Sequence, residues 1–192
     1  MIWSLLFPAS ADLQSEVVMP VVQSAEIVLM ADDFEVDYYD NGCYREAGYL
    51  VNGEKYGYWQ YFYPNGTQKK KGHFLNDQKN DYWIYYDSLG QIQYEGSYLL
   101  GKRNGYWKYY EDNTLVESGP WTLDEKEGWW LFFDSNGNKT DEGRFVRGYR
   151  HGYWMHYSGG TLESEGTYLH DKKSGEWKYY EDQKLISVLL HN

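Results

Sequence analysis

The stretch Gly96-Ser97-Tyr98-Leu99-Leu100-Gly101-Lys102-Arg103-Asn104-Gly105-Tyr106-Trp107-Lys108-Tyr109-Tyr110 decides how this chain is read. It holds two short aromatic runs separated by a Gly/Lys/Asn turn, the pattern of two antiparallel strands joined by a tight connection. Its tryptophan recurs as Trp59, Trp83, Trp107, Trp130, Trp154 and Trp177, at separations of 24, 24, 23, 24 and 23 residues. A period that regular means one structural unit has been copied along the chain. Stacked short repeats build an extended surface, which favours binding over chemistry in a closed pocket.

Other positions keep the same register. A glycine precedes the first strand in every copy: Gly48, Gly72, Gly96, Gly119, Gly143 and Gly166. A second sits two residues before Trp at Gly57, Gly105, Gly128, Gly152 and Gly175, with Asp81 in the remaining copy. Glycine inside a strand leaves room for a close neighbour, so the glycine row reads as the hole into which a Trp from a neighbouring strand packs. After the aromatic strand comes a turn, Pro64-Asn65-Gly66 in one copy and Ser135-Asn136-Gly137 in another. The one-residue losses, near Glu111-Asp112-Asn113 and Ser158-Gly159-Gly160, fall in this turn, where length changes are tolerated.

Strand periodicity of two separates the faces. Trp107 and Tyr109 point one way; Tyr106, Lys108 and Tyr110 point the other. The residue ahead of Trp is aromatic at Tyr58, Tyr82, Tyr106, Trp129 and Tyr153, and makes a candidate binding row. A basic residue holds one register in all six copies: Lys55, Lys79, Arg103, Lys126, Arg150 and Lys173. Two readings of it stand. It lies over an aromatic face or pairs with a carboxylate such as Asp87, Glu111, Asp134 or Glu181; or it forms a stripe that meets an anionic partner.

The expected fold is all-β: an elongated, solenoid-like antiparallel sheet of about six hairpin repeats. Two strands per copy at about 4.8 Å advance the array by about 10 Å per repeat, or about 60 Å in all. The repeat array spans 34–192. Its opening half copy, Val36-Asp37-Tyr38-Tyr39-Asp40-Asn41-Gly42, aligns with Trp83-Ile84-Tyr85-Tyr86-Asp87-Ser88-Leu89 and puts Val36 in the Trp slot. An aliphatic strand, Lys184 to Leu190, caps the far end. Residues 1–33 form a separate N-terminal segment, in which Val17 to Met30 read as a capping strand or a linker. Within it, Ile2 to Phe7 followed by Ala9-Ser10-Ala11 resembles a short signal peptide over 1–11, without the usual preceding Lys or Arg. Cytoplasmic and exported locations both remain open.

Composition narrows the partners. Aromatics make up 20% of the 192 residues, and the net charge is −11. That charge opposes nucleic acid, which needs a basic footprint, and opposes adsorption to anionic lipid. No stretch is apolar for the roughly 18 residues a spanning helix needs. Cys43 is the one cysteine, so there is no intramolecular disulfide and no cysteine-rich zinc site. His73, His151, His156, His170 and His191 show no zinc-ligand spacing, and no metal or cofactor is expected. Gly-x-Ser-x-Gly, P-loop and dinucleotide patterns are absent. Glu125 and Glu127 lie in a charged turn and read as solvated loop.

The copies Gly105-Tyr106-Trp107-Lys108-Tyr109-Tyr110 and Gly96 to Gly105 resemble the MORN repeat, and more closely its bacterial variant in the YwqK family, whose members carry an antitoxin class label. The likeness covers about residues 34–183; Asp81 and His156 depart from the pattern at one glycine and one aromatic. The resemblance implies a run of β-hairpins and a role in protein interaction, scaffolding or membrane attachment. It carries over no site residues, because the shared positions are packing ones. The expectation is therefore a non-enzymatic interaction module with a protein partner. An envelope-associated carbohydrate- or lipid-binding array is the alternative.

Overall fold

The computed structural model describes residues 33–192, which form fifteen strands and no helix. They are β1 (Asp33–Tyr38), β2 (Tyr44–Val51), β3 (Glu54–Phe62), β4 (Gln68–Leu75), β5 (Gln78–Tyr86), β6 (Ile92–Leu99), β7 (Lys102–Glu111) and β8 (Thr114–Thr122). After these come β9 (Glu125–Lys126), β10 (Gly128–Phe133), β11 (Lys139–Val146), β12 (Tyr149–Ser158), β13 (Thr161–Leu169), β14 (Lys172–Glu181) and β15 (Lys184–His191). All lie in one open antiparallel sheet in which neighbours in the chain are neighbours in space; β10 follows β8, and the short β9 pairs β8 off the path. The signal-like residues 1–11 and the apolar run Val17 to Met30 lie outside the described residues.

Turn chemistry fixes this meander. The two-residue connections have positive φ at both positions, as in Asn52-Gly53 (52° and 81°) and Leu100-Gly101 (47° and 81°). That geometry matches the right-handed twist of the flanking strands. The 23-residue copies carry a second such turn, Asp112-Asn113 or Gly159-Gly160, where the 24-residue copies have a longer loop. In the longer loops an Asn or Asp side chain caps the backbone: Asn65 accepts from the Thr67 amide, and Asp87 and Asp134 accept from amides two and four residues on. Loops of successive repeats are also stitched together, with Tyr63 Oη donating to the Tyr86 carbonyl and Asn65 Nδ2 to that of Ser88.

The first glycine row lies in mid-strand rather than ahead of it. Gly48, Gly72, Gly96, Gly119, Gly143 and Gly166 each sit under the indole of the Trp on the following strand, and an added Cβ would stand 2.2–2.5 Å from Cδ2 of that ring. Each indole Nε1 donates to the carbonyl of the residue after its glycine, at 3.0 Å in all six copies. The six ladder tryptophans are 0–2% exposed, although the described residues form a single sheet. By the usual area scale, burying such a ring contributes roughly 4 to 6 kcal/mol as an upper figure.

The second glycine row does another job. Gly57, Gly105, Gly128, Gly152 and Gly175 have φ between 68° and 96°, and Asp81, which replaces one of them, has φ 58°. Gly152 and Gly175 face open space, and none of those described meets a Trp ring. They form left-handed bulges: Gly48 pairs Trp59 and Tyr49 pairs Tyr56, so Gly57 and Tyr58 are extra on that side. Backbone conformation, not room for a ring, is what the second row supplies.

The opening half copy is shifted by one residue from its expected alignment. Trp59 stands opposite Gly72, but Glu35, not Val36, stands opposite Gly48. The Tyr39 amide bonds the Cys43 carbonyl just as the Tyr63 amide bonds that of Thr67, so Tyr39 matches Tyr63 and Glu35 takes the Trp place. A slip of one residue swaps the faces of a strand, and it comes from aligning Asp40 with Asp87 by letter, whereas the same loop hydrogen bonds put Tyr39 level with Asp87. At the other end Leu189 stands opposite Trp177 where earlier copies have glycine, and its side chain occupies the place of a further indole.

Candidate binding face

The two faces of the sheet differ sharply. On the Trp face, the residue two after each Trp (Tyr61, Tyr85, Tyr109, Phe132, His156, Tyr179) packs against the ladder. His156 stacks between Trp154 and Trp177 and bonds Asp141 through Nδ1.

All six basic residues of the repeat register are on this face. Lys55, Lys126 and Lys173 lie 4.0, 4.2 and 4.0 Å from the centroids of Trp59, Trp130 and Trp177. Lys79 lies over Tyr98, Arg103 over Trp121 and Arg150 over Tyr168. Their hydrogen bonds go to Tyr61, Tyr85 and Tyr179 hydroxyls and to Glu46, Asp124, Glu117 and Asp171. Asp87 and Asp134, expected as their partners, cap turns instead, and Glu111 and Glu181 stay exposed. The basic row thus lids the ladder. Lys70 joins it over Tyr61, and burial beside Lys79, Lys69 and Lys55 pushes its amine down to about 8.

The opposite face carries the aromatic row ahead of Trp. Tyr82, Tyr106, Trp129 and Tyr153 are 46, 50, 44 and 44% exposed. Tyr58 is half-buried against His73, and Glu176 takes the position in the last copy. Each ring occurs once per repeat at one register, opposite Ser97, Pro120, Arg144 and Thr167 respectively.

Between these rings lies a feature that reading the sequence missed. The residue before the packing glycine points to this second face. Where it is Glu, phenols hold it. Glu95 accepts from Tyr110 at 2.9 Å with Tyr82 beside it; Glu165 accepts from Tyr180 at 2.7 Å with Tyr153 beside it. Glu142 accepts from Tyr157 at 2.5 Å and from Lys139 at 2.8 Å, with Trp129 beside it. These carboxylates are 12–14% exposed in their side chains. In the copy where the outer phenol is Phe133, the residue is Ser118, which accepts from Tyr106. Where it is Phe62, the residue is Ala47, and Tyr86 instead lies against the Lys71 ammonium. The signal was present as a paired choice: Glu before glycine goes with Tyr, not Phe, three after the next Trp.

Electrostatics follow from these bonds. The Tyr180 bond, aided by Tyr153 and Lys178, holds Glu165 below the ordinary carboxylate range. Burial works to raise Glu142, but the bonds from Lys139 and Tyr157 outweigh it, so Glu142 is lowered too. Burial and the neighbouring Glu95 push Tyr82 and Tyr110 up to about 12, and burial and Glu165 do the same for Tyr153.

Among the described residues no group of three His, Cys, Asp or Glu side chains gathers as metal ligands. A shallow hollow of about 250 Å³ near the C-terminal end is lined by Ser158, Thr161, Leu162, Glu163, Tyr180 and Asp182, all loop or strand-end residues.

Fold and faces together define an all-β, hairpin-repeat ladder with one packed and one presented face. No protein-family model matches the chain, and no curated protein does. Among solved structures, the chain is similar at 9% identity and a TM-score of 0.19 to a mutant S. aureus TarM crystallised with fondaparinux, alpha-GlcNAc-glycerol and UDP. That match covers 83% of this chain and 22% of the other, so this chain spans about a fifth of that protein's length.

Proposed function

We propose that this chain is a non-enzymatic interaction scaffold, a MORN-like ladder that uses one face for its own fold and presents the other to a partner. The carrying observation is the row Tyr82, Tyr106, Trp129 and Tyr153, which stays about half exposed while six ladder tryptophans beside it are buried. Tyr and Trp are the residues that dominate interface energetics, because they bring large area at little entropic cost. The titratable groups of both faces support the reading, since their bonds serve packing and turn capping. The YwqK resemblance implies a protein as partner, an antitoxin's target being one such case. The scaffold reading itself needs only that the partner lie along the presented face.

The test is site-specific photo-crosslinking in the native host. A photoreactive residue at Tyr106 gives adducts, and one at Tyr61 on the Trp face does not. Equal adducts from both positions, or none from Tyr106, would sink the reading.

A further inference from the structure

We propose that the Tyr82–Tyr106–Trp129–Tyr153 row binds a linear, uncharged polysaccharide, laid across the strands along the axis of the array. This rests on the reading of that face as the presented one.

Periodicity is the first argument. One ring per repeat places the platforms two strands apart, roughly 10 Å. A globular partner has no translational repeat to match four equivalent rings. A linear polymer of sugar rings has one, so each platform meets the same chemistry.

The rings are also held ready. Tyr106 Oη donates to Ser118 Oγ at 3.1 Å, and Glu95, Glu142 and Glu165 lie beside Tyr82, Trp129 and Tyr153. The tip of Tyr106 is engaged, and the ring faces of the row stay about half exposed. Preorganised aromatic surface binds with little further loss of entropy. The C–H face of a pyranose is apolar and planar enough to stack on such a ring, while its hydroxyls point sideways.

Acceptors for those hydroxyls lie alongside. A carboxylate offers about four lone-pair sites. Glu95 and Glu165 each accept one phenol, face the ammonium of Lys108 or Lys178 at 3.8 Å, and keep 13–14% of the side chain open. They suit a ligand rich in neutral donors. The residues opposite the rings are Ser97, Pro120 and Thr167, with the exposed Arg144 opposite Trp129. Stacked nucleobases would use the same rings, but each of Lys108 and Lys178 on this face lies beside a carboxylate, and the net charge of −11 opposes a polyanion.

The experiment is affinity electrophoresis of the full chain in gels containing hydroxyethylcellulose, xylan, mannan or laminarin, followed by calorimetry with the matching di-, tetra- and hexasaccharides. The wild type is retarded by at least one polymer, and its affinity rises from di- to hexasaccharide. Trp129→Ala and Tyr106→Ala each weaken binding about tenfold, the scale of losing an aromatic anchor. Leu89→Ala, in an exposed turn, leaves it unchanged, and melting curves confirm that each variant is folded. No retardation and no heat with the folded wild type would overturn the proposal, as would binding that survives both ring substitutions. If glycans fail but the Tyr106 crosslinker still captures a protein, the polysaccharide is wrong and the scaffold stands. If both fail, both are wrong.

Discussion

At Gly96 an added methyl group would meet Cδ2 of Trp107 at 2.3 Å, and the indole has no room to retreat because its Nε1 is tied to the Ser97 carbonyl. Gly96→Ala therefore costs about 3 kcal/mol by overpacking, with strain on the ladder hydrogen bond. Gly105→Ala faces an added Cβ contact of 3.7 Å, and pays only for its φ of 96°, about 1 to 2 kcal/mol. Urea unfolding of the two variants separates the functions of the two glycine rows, and equal losses would refute the distinction. Leu100 is the reverse case, a branched side chain held at φ 47° in front of Gly101. Leu100→Asn restores the Asn-Gly pair that a type I′ turn prefers and raises stability by about 1 kcal/mol in the same assay.

Among elements, the informative unit is the clamp between three successive strands. Ser118 on β8 lies between Tyr106 on β7 and Phe133 on β10, and Phe133 has no hydroxyl to give. Ser118→Glu alone buries a carboxylate short of one phenol and costs about 2 kcal/mol. Adding Phe133→Tyr rebuilds the arrangement of Glu95 and Glu165 and recovers at least half of that, a coupling that a double-mutant cycle measures directly. Additive effects would show that the pairing of Glu with Tyr has no energetic basis. The same clamps contribute to the alkaline limit, together with Tyr61 and Tyr85 on the Trp face, which burial also raises. Tyr82, Tyr110 and Tyr153 ionise at about 12 in the fold and near 10 in an unfolded chain, so the folded state holds these protons more tightly. Their stabilisation is complete below pH 10 and is lost as pH rises through about 12. A spectrophotometric titration of the phenolates shows a late-ionising class that Glu95→Gln and Glu165→Gln shift downward.

Over the whole molecule, much of the plan was legible in the sequence because a repeat states it six times. The strand pairs, the turns, the burial of the ladder Trp and the alternation of faces all follow from one copy. What escaped was set by pairing across strands. Letter matching put Val36 in the Trp slot, whereas the loop hydrogen bonds, not residue identity, fix the register at Glu35. The two glycine rows look alike in sequence and separate only through φ. The basic row could lie over rings or face a partner until the strands placed Lys55 and Lys126 above their indoles. The clamps around Glu95, Glu142 and Glu165 join residues 13 to 15 apart from different copies, which a reading of single copies does not compare.

One face used for the fold and one presented is the central claim, and oxidative footprinting of the tryptophans, resolved by tandem mass spectrometry, tests it most directly. Trp129 and Trp130 are adjacent in sequence and are 44% and 0% exposed. The account predicts rapid modification of Trp129 and protection of Trp59, Trp83, Trp107, Trp130, Trp154 and Trp177 until the chain unfolds. Equal rates at Trp129 and Trp130 in the folded protein would contradict it.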